Sequence, residues 1–346
     1  MDDRYFVCIL AGGSGERFWP LSRRALPKHL LNLFGETTLL EQAVRRVEQA
    51  VSRDRIVILT NEVQLEATRR LLPFLDPAQI VAEPAKRDTA PAAALATALA
   101  RERHPDAVVA LLPADALIHD GEAFSRQLAQ AFAAAAEGKA FVTLAVHPVY
   151  PATGFGYLEV GGPTSVPGFL QVLRFVEKPD ERTARDYLKT GRFGWNAGIF
   201  VWSVAFFLKE ADHLQPALAD FVREWPIGPG WEARFAALPK ISVDYALMEK
   251  ATAVWTAWAD FDWDDVGTWT ALPTHLGEDA RNNTVRGAGI VVDGSYNIVV
   301  SSGRTVVLYG VDDLVVVESA DAVLVCPRSK VQEVKNLQKE LPPELL

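Results

Sequence analysis

Three glycines followed, after the single acid Glu16, by cations form the densest chemical signal in the chain: Leu10 to Leu31 reads LAGGSGERFWPLSRRALPKHLL, directly after an apolar run. Gly12, Gly13 and Gly15 carry no side chain, so backbone N–H groups there can approach phosphate oxygens, while Arg17, Arg23, Arg24 and Lys28 supply positive charge. That is the chemistry of a nucleoside triphosphate cradle. Two other glycine loops are excluded by spacing. A Walker A loop needs Lys and then Ser or Thr after its glycines, and a dinucleotide loop read from Gly13 would need glycine where Phe18 stands. An ordinary glycine-rich turn is the alternative on the glycines alone. Arg17, Trp19-Pro20 and Pro27-Lys28 weigh against it.

Carboxylates supply the second set of candidates. Asp115 follows the apolar run Val108 to Leu112 and Pro113, so its side chain is expected at a strand end, as a ligand for Mg²⁺. This ion takes one or two carboxylates plus substrate phosphates, so a second acid from elsewhere is required. Four acids lie between Asp260 and Asp265 among Phe261 and Trp263, and so dense a negative cluster calls for a cation. A helix-capping role for Asp115 and a solvated acidic turn at 260–265 are the plain alternatives. In Phe175-Val176-Glu177-Lys178-Pro179 the proline biases Lys178 toward extended backbone, which sends Glu177 and Lys178 to opposite faces. Taken alone, such a pair reads as exposed charge. Glu83, followed by Pro84, is the candidate for base recognition, because a carboxylate can accept from both N1–H and the N2 amino group of guanine, a donor pair that uracil and adenine lack. Asp244 is expected to cap a helix start, and it and Lys250 are read as structural. Asp88 receives no role.

The elements that must position these groups alternate. Tyr5–Leu10, Arg55–Thr60, Gln79–Ala82, Val108–Leu112 and Phe141–Ala145 read as short buried strands, and Leu39–Val51, Glu62–Leu72, Pro91–Arg103 and Glu122–Ala136 as helices. This pattern predicts a parallel sheet with covering helices. Ligands of such sheets sit beyond the carboxyl ends of the strands, where the glycine loop, Glu83-Pro84 and Pro113-Ala114-Asp115 all fall. From Gly154 to about Trp269 the pattern is mixed and rich in glycine and aromatics. After Arg281, β-branched runs broken at roughly nine-residue intervals predict stacked short strands. Ser329 and Gln332 suggest a capping box for a closing helix with Val331, Val334, Leu337 and Leu341 on one face.

Composition narrows the class. The chain has 346 residues, 49% apolar and 23% charged, with a net charge of −9. That balance belongs to a globular protein of two or three domains and argues against a general nucleic-acid binder. No apolar run is long enough to span a bilayer, and Met1-Asp2-Asp3-Arg4 leads straight into a strand without a visible signal peptide, so no membrane partner and a cytoplasmic location are expected. The two cysteines, Cys8 and Cys326, read as small hydrophobes within strands.

The string GGSGERFWPLSRRALPKHLL resembles the signature of the sugar-nucleotide pyrophosphorylases, and its Trp19-Pro20-Leu21-Ser22 core resembles the mannose-1-phosphate guanylyltransferase branch. The likeness extends through Glu83-Pro84, Phe175-Val176-Glu177-Lys178-Pro179, Trp195-Asn196-Ala197-Gly198 and Trp263-Asp264-Asp265-Val266-Gly267. It implies an α/β fold: a Rossmann-like nucleotidyltransferase domain with a mixed, mainly parallel sheet over residues 1–275, then a small left-handed β-helix with its closing helix over 281–346. It also implies roles. Ala11, Gly12, Gly13, Gly15, Glu83 and Pro84 would bind the nucleotide, and Arg17 and Lys28 would stabilise the departing pyrophosphate. Asp115 and Asp265 would hold Mg²⁺. Gly154, Gly156, Glu177, Lys178 and Asn196 would bind the sugar phosphate, with Glu177 and Asn196 on sugar hydroxyls and Lys178 on the phosphate.

The reaction expected from this resemblance is guanylyl transfer from GTP to mannose 1-phosphate, giving GDP-mannose and pyrophosphate. The attacking phosphate oxygen is already largely deprotonated at neutral pH, because a phosphate monoester has a second pKa of about 6. No general base is then needed, and none of the hydrolase triads is expected. The alternatives are another sugar-1-phosphate nucleotidylyltransferase using UTP or dTTP, and a non-catalytic sugar-nucleotide sensor. At this length one activity, without an appended isomerase domain, is expected, and exposed edges of the stacked strands could support a homodimer.

Overall fold

The computed structural model describes residues 2–13, 15–226 and 228–346; Met1, part of the N-terminal expectation above, lies outside them. Nine strands build the main sheet: β1 (Tyr5–Leu10), β2 (Ile56–Asn61), β3 (Ile80–Glu83), β4 (Val108–Pro113), β5 (Phe141–Val146), β6 (Gly156–Pro163), β7 (Leu170–Glu177), β8 (Phe193–Ser203) and β9 (Val254–Trp258). Their order in space is β3-β2-β1-β4-β8-β5-β9-β7-β6. The first four run parallel; β8 then runs antiparallel to both β4 and β5, and β9 returns parallel to β5. Chain order reverses direction across the sheet at β1 and β4, which opens a crevice at their carboxyl ends. The glycine loop leaves β1 and Asp115 follows β4, so both enter that crevice.

Covering helices explain why the parallel strands read as unbroken apolar runs. These are α1 (Leu39–Val47), α2 (Leu65–Leu71), α3 (Thr89–Arg103) and α4 (Gly121–Ala136). Val7 and Ile9 of β1 pack into the cluster that holds α1 and α4 residues, while Phe6 and Cys8 pack into the one that holds α3. Each fully buried Val, Leu, Ile or Phe contributes about 1.5–3 kcal/mol by leaving water. Helix α1 starts at a capping box, with Thr38 accepting from the Glu41 N–H at 3.1 Å and Glu41 accepting from the Thr38 N–H at 2.9 Å. Helix α3 is alanine-rich and buried on every side, because the helices Val204–Leu214 and Pro216–Glu224 cover the flank that the sheet does not.

The C-terminal part is a coil of short strands: β10 (Thr284–Arg286), β11 (Gly289–Val292), β12 (Ile298–Ser301), β13 (Val306–Tyr309), β14 (Leu314–Glu318) and β15 (Val323–Pro327). β10, β12 and β14 stack in parallel on one side and β11 with β13 on another, with β15 closing antiparallel on β14. Ile298, Val300, Val315 and Val317 face inward and join one cluster with Phe18, Trp19, Val266 and Trp269. The coil therefore packs on the turn after the glycine loop and on the segment after Asp265.

The closing segment departs from expectation. Arg328–Lys339 is a 3₁₀ helix without a side-chain cap, so Ser329 and Gln332 form no capping box. With three residues per turn, positions i and i+3 lie on one line, which keeps Val331 and Val334 buried. Leu337, next along that line, is 36% exposed, and Leu341 packs at the cluster's edge. Cys8 and Cys326 are both free thiols. Among the described residues no helix is long and apolar enough to cross a membrane.

Candidate active site

Gly15 fixes the root of the glycine loop. It has a φ of +60°, and a Cβ placed there would stand 2.5 Å from the Lys28 backbone nitrogen, so only glycine fits. Lys28 is held under the loop with a side chain only 5% exposed. Its Nζ donates to the carbonyls of Asp265 at 2.7 Å and Val266 at 3.2 Å and pairs with Asp115 Oδ2 at 2.9 Å. All three ammonium donors are thus engaged. Lys28 ties the Asp115 loop to the Asp265 loop instead of projecting freely at a ligand, which bears against the expected role on a departing pyrophosphate.

The same two loops are stapled a second time. Leu117 and Asp264 exchange backbone hydrogen bonds of 2.9 and 3.0 Å. This bridge sits just after Asp115 and just before Asp265, and it sets both carboxylates on the wall of one cavity of about 280 Å³, with Glu16, Arg17 and Lys335 around them. Val266, the next residue, has a φ of +46°, a conformation that costs a β-branched residue on the order of 1–3 kcal/mol. Its full burial and the Val266 N–H donating to Asp264 Oδ1 at 2.7 Å hold it there.

The acidic cluster resolves into separate jobs. Asp260 pairs with Arg126 at 3.2 Å, and Asp262 accepts the backbone N–H groups of His119 and Asp120, each at 2.8 Å. Asp264 contacts His275 Nε2 at 2.8 Å. Only Asp265 faces the cavity, so the cluster as a whole does not call for a cation; one member does. Burial raises the Asp265 carboxyl above the usual range, Lys28 and Arg17 offset this only in part, and Asp115 and Asp264 add to it. For Asp115, enclosure pushes upward as well, but the Lys28 charge and hydrogen bond outweigh it and hold the carboxyl below its ordinary value. Among the described residues no three His, Cys, Asp or Glu side chains converge to hold an ion unaided. Two hard oxygen donors beside an open cavity fit an ion that completes its shell with ligand oxygens.

Trp19 and Arg23 of the glycine signature turn away from the cavity. Arg23 pairs with Asp321 at 2.7 Å and donates to the Leu345 carbonyl at 3.0 Å, and Trp19 Nε1 donates to the same carbonyl at 2.9 Å. Arg23 therefore anchors the C-terminal coil and is not a phosphate ligand. Ala11 is also spent: it is fully buried, its N–H bonds the Leu59 carbonyl at 2.7 Å and its carbonyl accepts from Thr60 Oγ1 at 2.9 Å. It roots the loop and leaves approach to a ligand to the glycines.

A second cavity, of about 350 Å³, adjoins the first across the loop and is lined by Gly12, Arg24, Asn61, Gln64, Glu83 and Pro84 among others. Gln64 Nε2 donates to the Arg24 carbonyl at 3.2 Å, which fixes this wall. Burial, with a smaller push from Asp88, raises Glu83 to about 7. Asp88 caps α3 by accepting the Thr89 N–H at 2.9 Å.

Beyond β8 the sugar-side candidates meet. Gly156 pairs across from Glu177, and a Cβ on Gly156 would lie 2.6 Å from Glu177 Oε2, so glycine leaves the carboxylate its place. Lys178 has a φ of +48° and its Nζ lies 2.8 Å from Glu177 Oε1. The extended backbone and opposite faces expected for this pair do not occur; the left-handed turn folds the ammonium back over its neighbour. Gly154 is exposed in the preceding turn, beside Phe155, whose carbonyl accepts the Lys178 N–H at 3.2 Å. Asn196 sits where β8 bulges against β5. Its Oδ1 accepts from Thr143 Oγ1 at 3.1 Å and its Nδ2 donates to Asp244 Oδ1 at 3.3 Å.

Asp244 is the residue the sequence reading misplaced. It lies within a single π-helical turn, Asp244–Met248, so it caps nothing. Burial and then the Glu177 charge raise it to about 7. A local capping pattern gave no hint of a partner in β8. Thr143 and Lys335 were likewise unmarked, the first inside an apolar strand and the second on a polar helix face.

A nucleotidyl transferase family model matches residues 7–281, and a model described as a MannoseP isomerase/GMP-like beta-helix domain matches residues 287–341. The xanthan biosynthesis protein XanB of Xanthomonas campestris pv. campestris (strain B100) is 37% identical over 342 residues, which cover 96% of this chain and 72% of that one. A mannose-1-phosphate guanylyltransferase of Sinorhizobium fredii is 34% identical, over 96% of this chain and 67% of that one. Among solved structures, a protein named mannose-1-phosphate geranyltransferase from Thermus thermophilus superposes with a TM-score of 0.88 at 35% identity, covering 97% of this chain and 99% of that one.

Proposed function

The chain belongs to the nucleotidyl transferase family, and on that premise we propose that it transfers a guanylyl group from GTP to mannose 1-phosphate, releasing GDP-mannose and pyrophosphate. The observation that carries the reading is the Leu117–Asp264 bridge, which puts Asp115 and Asp265 on one cavity beside the glycine loop. The working division is a catalytic domain at 1–275 and a β-helix domain at 281–346.

Each part of the cleft has a task. The glycine loop receives the triphosphate through backbone N–H groups, and Glu83 accepts from the guanine N1–H and N2 amino group in the neighbouring pocket. Glu177, Asn196 and Asp244 take the sugar hydroxyls, and Lys178, whose side chain is 58% exposed, swings from Glu177 to the sugar phosphate. A phosphate oxygen of mannose 1-phosphate attacks the α-phosphorus in line, the bond from that phosphorus to the β-bridging oxygen breaks, and pyrophosphate leaves with the electron pair. The nucleophile arrives deprotonated, so positioning and charge do the catalysis. Asp115 and Asp265 would hold Mg²⁺, which neutralises phosphate charge when bound. Arg17 faces the leaving pyrophosphate, while Lys28 keeps Asp115 ionised and the two loops in register.

The test is pyrophosphate release from purified protein across GTP, ATP, UTP and dTTP with several sugar 1-phosphates and Mg²⁺. GTP with mannose 1-phosphate is expected to exceed every other pair. A larger rate with UTP or dTTP and glucose 1-phosphate would move the chain to another nucleotidylyltransferase, and binding of GDP-mannose without turnover would make it a sensor.

A further inference from the structure

The phosphate cavity has a wall that the catalytic domain does not supply. Lys335, on the 3₁₀ helix that closes the C-terminal coil, lines the same cavity as Arg17, Asp115 and Asp265. Its backbone is fixed, because the adjoining Val334 and the preceding Val331 are 3% and 1% exposed and sit in one cluster with Phe18, Trp19 and Val266. Its side chain makes no ion pair or hydrogen bond among the described residues, whereas Lys330 on the same helix pairs with Glu333 at 2.8 Å.

The charges around the cavity show why a further cation matters here. Three carboxylates, those of Glu16, Asp115 and Asp265, line it with three cations, Arg17, Lys28 and Lys335. Lys28 is saturated by Asp115 and two carbonyls. Arg17 stands with a buried Nε that has no hydrogen-bond partner, leaving Lys335 as the one cavity ammonium not already committed among the described residues. A departing pyrophosphate is a multivalent anion and gains most from cations not already neutralised by protein.

We infer that Lys335, carried in by the C-terminal coil, binds the pyrophosphate leaving group beside Arg17, so that the coil completes the catalytic cavity. The inference rests on the nucleotidyl-transfer reading above. It also gives a function to the anchoring of Trp19 and Arg23 on Leu345 and Asp321: these contacts fix the helix that presents Lys335 against the loop that presents Arg17.

The test measures binding of inorganic pyrophosphate with Mg²⁺ by calorimetry, and steady-state kinetics in both directions, for wild type, Lys335→Met, Lys335→Arg and the control Lys330→Met. Lys335→Met is expected to weaken pyrophosphate binding, and to raise its KM in the reverse direction, on the order of 10-fold. The KM for mannose 1-phosphate and the Tm should stay unchanged, Lys335→Arg should restore most of the loss, and Lys330→Met should behave as wild type. Pyrophosphate binding by Lys335→Met within about 2-fold of wild type overturns the inference. So does an equal loss in Lys335→Arg together with a lowered Tm, which would make the residue structural. If wild type makes no nucleotide sugar yet binds pyrophosphate in a Lys335-dependent way, the reaction assignment fails while the anion site stands.

Discussion

Asp115 at the phosphate end of the cleft and the acids of the two recognition ends stand under opposite electrostatic conditions, while Asp265, beside Asp115, is raised by burial as the recognition acids are. At the phosphate end Asp115 meets the Lys28 ammonium at 2.9 Å and is held below the usual carboxylate range in spite of the desolvation it suffers there. At the recognition ends Glu83 and Asp244 are enclosed without a cation strong enough to compensate, and both rise to about 7. The first arrangement keeps a charge available for a cation across the physiological range. The second leaves an undersolvated acceptor that gains from each N–H or O–H donor a ligand brings, and that penalises any ligand lacking one.

The largest effect should come from the phosphate end. Asp115→Asn and Asp265→Asn are each expected to lower kcat by about 10²–10³-fold or more with the fold intact; near-normal turnover with GTP and mannose 1-phosphate would take that residue out of the metal site. At the sugar end Glu177→Gln and Asp244→Asn should raise the KM for mannose 1-phosphate roughly 10-fold or more and leave that for GTP nearly unchanged. Equal losses for both substrates would mean that the two ends are not separate.

The smallest and most diagnostic effects belong to Glu83. Glu83→Gln should cut kcat/KM for GTP on the order of 10-fold and narrow its advantage over inosine triphosphate, which lacks the N2 amino group. Wild type should also show a GTP KM that rises as pH falls from 8 to 6, since guanine donors need the ionised carboxylate, and the Gln variant should flatten that profile. Stability runs in the other direction. Glu83 and Asp244 have ordinary values of 4.5 and 3.8 and sit near 7 when folded. Between those values the folded chain keeps protons that the unfolded chain has lost, so their contribution weakens stability progressively as pH rises to 7. Ligand-free Tm, followed by calorimetry from pH 5 to 8, should therefore fall less steeply in Glu83→Gln, by on the order of 2 °C. An identical slope would remove Glu83 as an enclosed acid.

Local pattern made the nucleotide half legible. The strands Tyr5–Leu10 and Val108–Leu112 and the helices starting near Leu39 and Gly121 stand within a few residues of where periodicity put them, because each buries a face whose spacing is written in the sequence. The sugar half was less so. There β8 bulges at Asn196 against β5, and Lys178 turns left-handed with its N–H on the Phe155 carbonyl, partners that local spacing does not show. The closing 3₁₀ helix was missed for the same reason: Val331 and Val334 fit either helical period, and packing on Phe18 and Trp19 chose between them.

The residue types alone determined that this chain carries a glycine loop suited to phosphate, an acid after the apolar run Val108 to Leu112 and a cluster of four acids at 260–265, since those follow from local spacing; only the family resemblance singles out Asp265 within that cluster. Tertiary structure decided which charges remain available. It committed Arg23 to Asp321, Asp262 to backbone N–H groups and Lys28 to Asp115, and brought Asp244 to Asn196 and Lys335 to Arg17. The reason is that a charge's role depends on which partners lie within a few ångströms of it, and in this fold those partners come from loops separated by most of the chain.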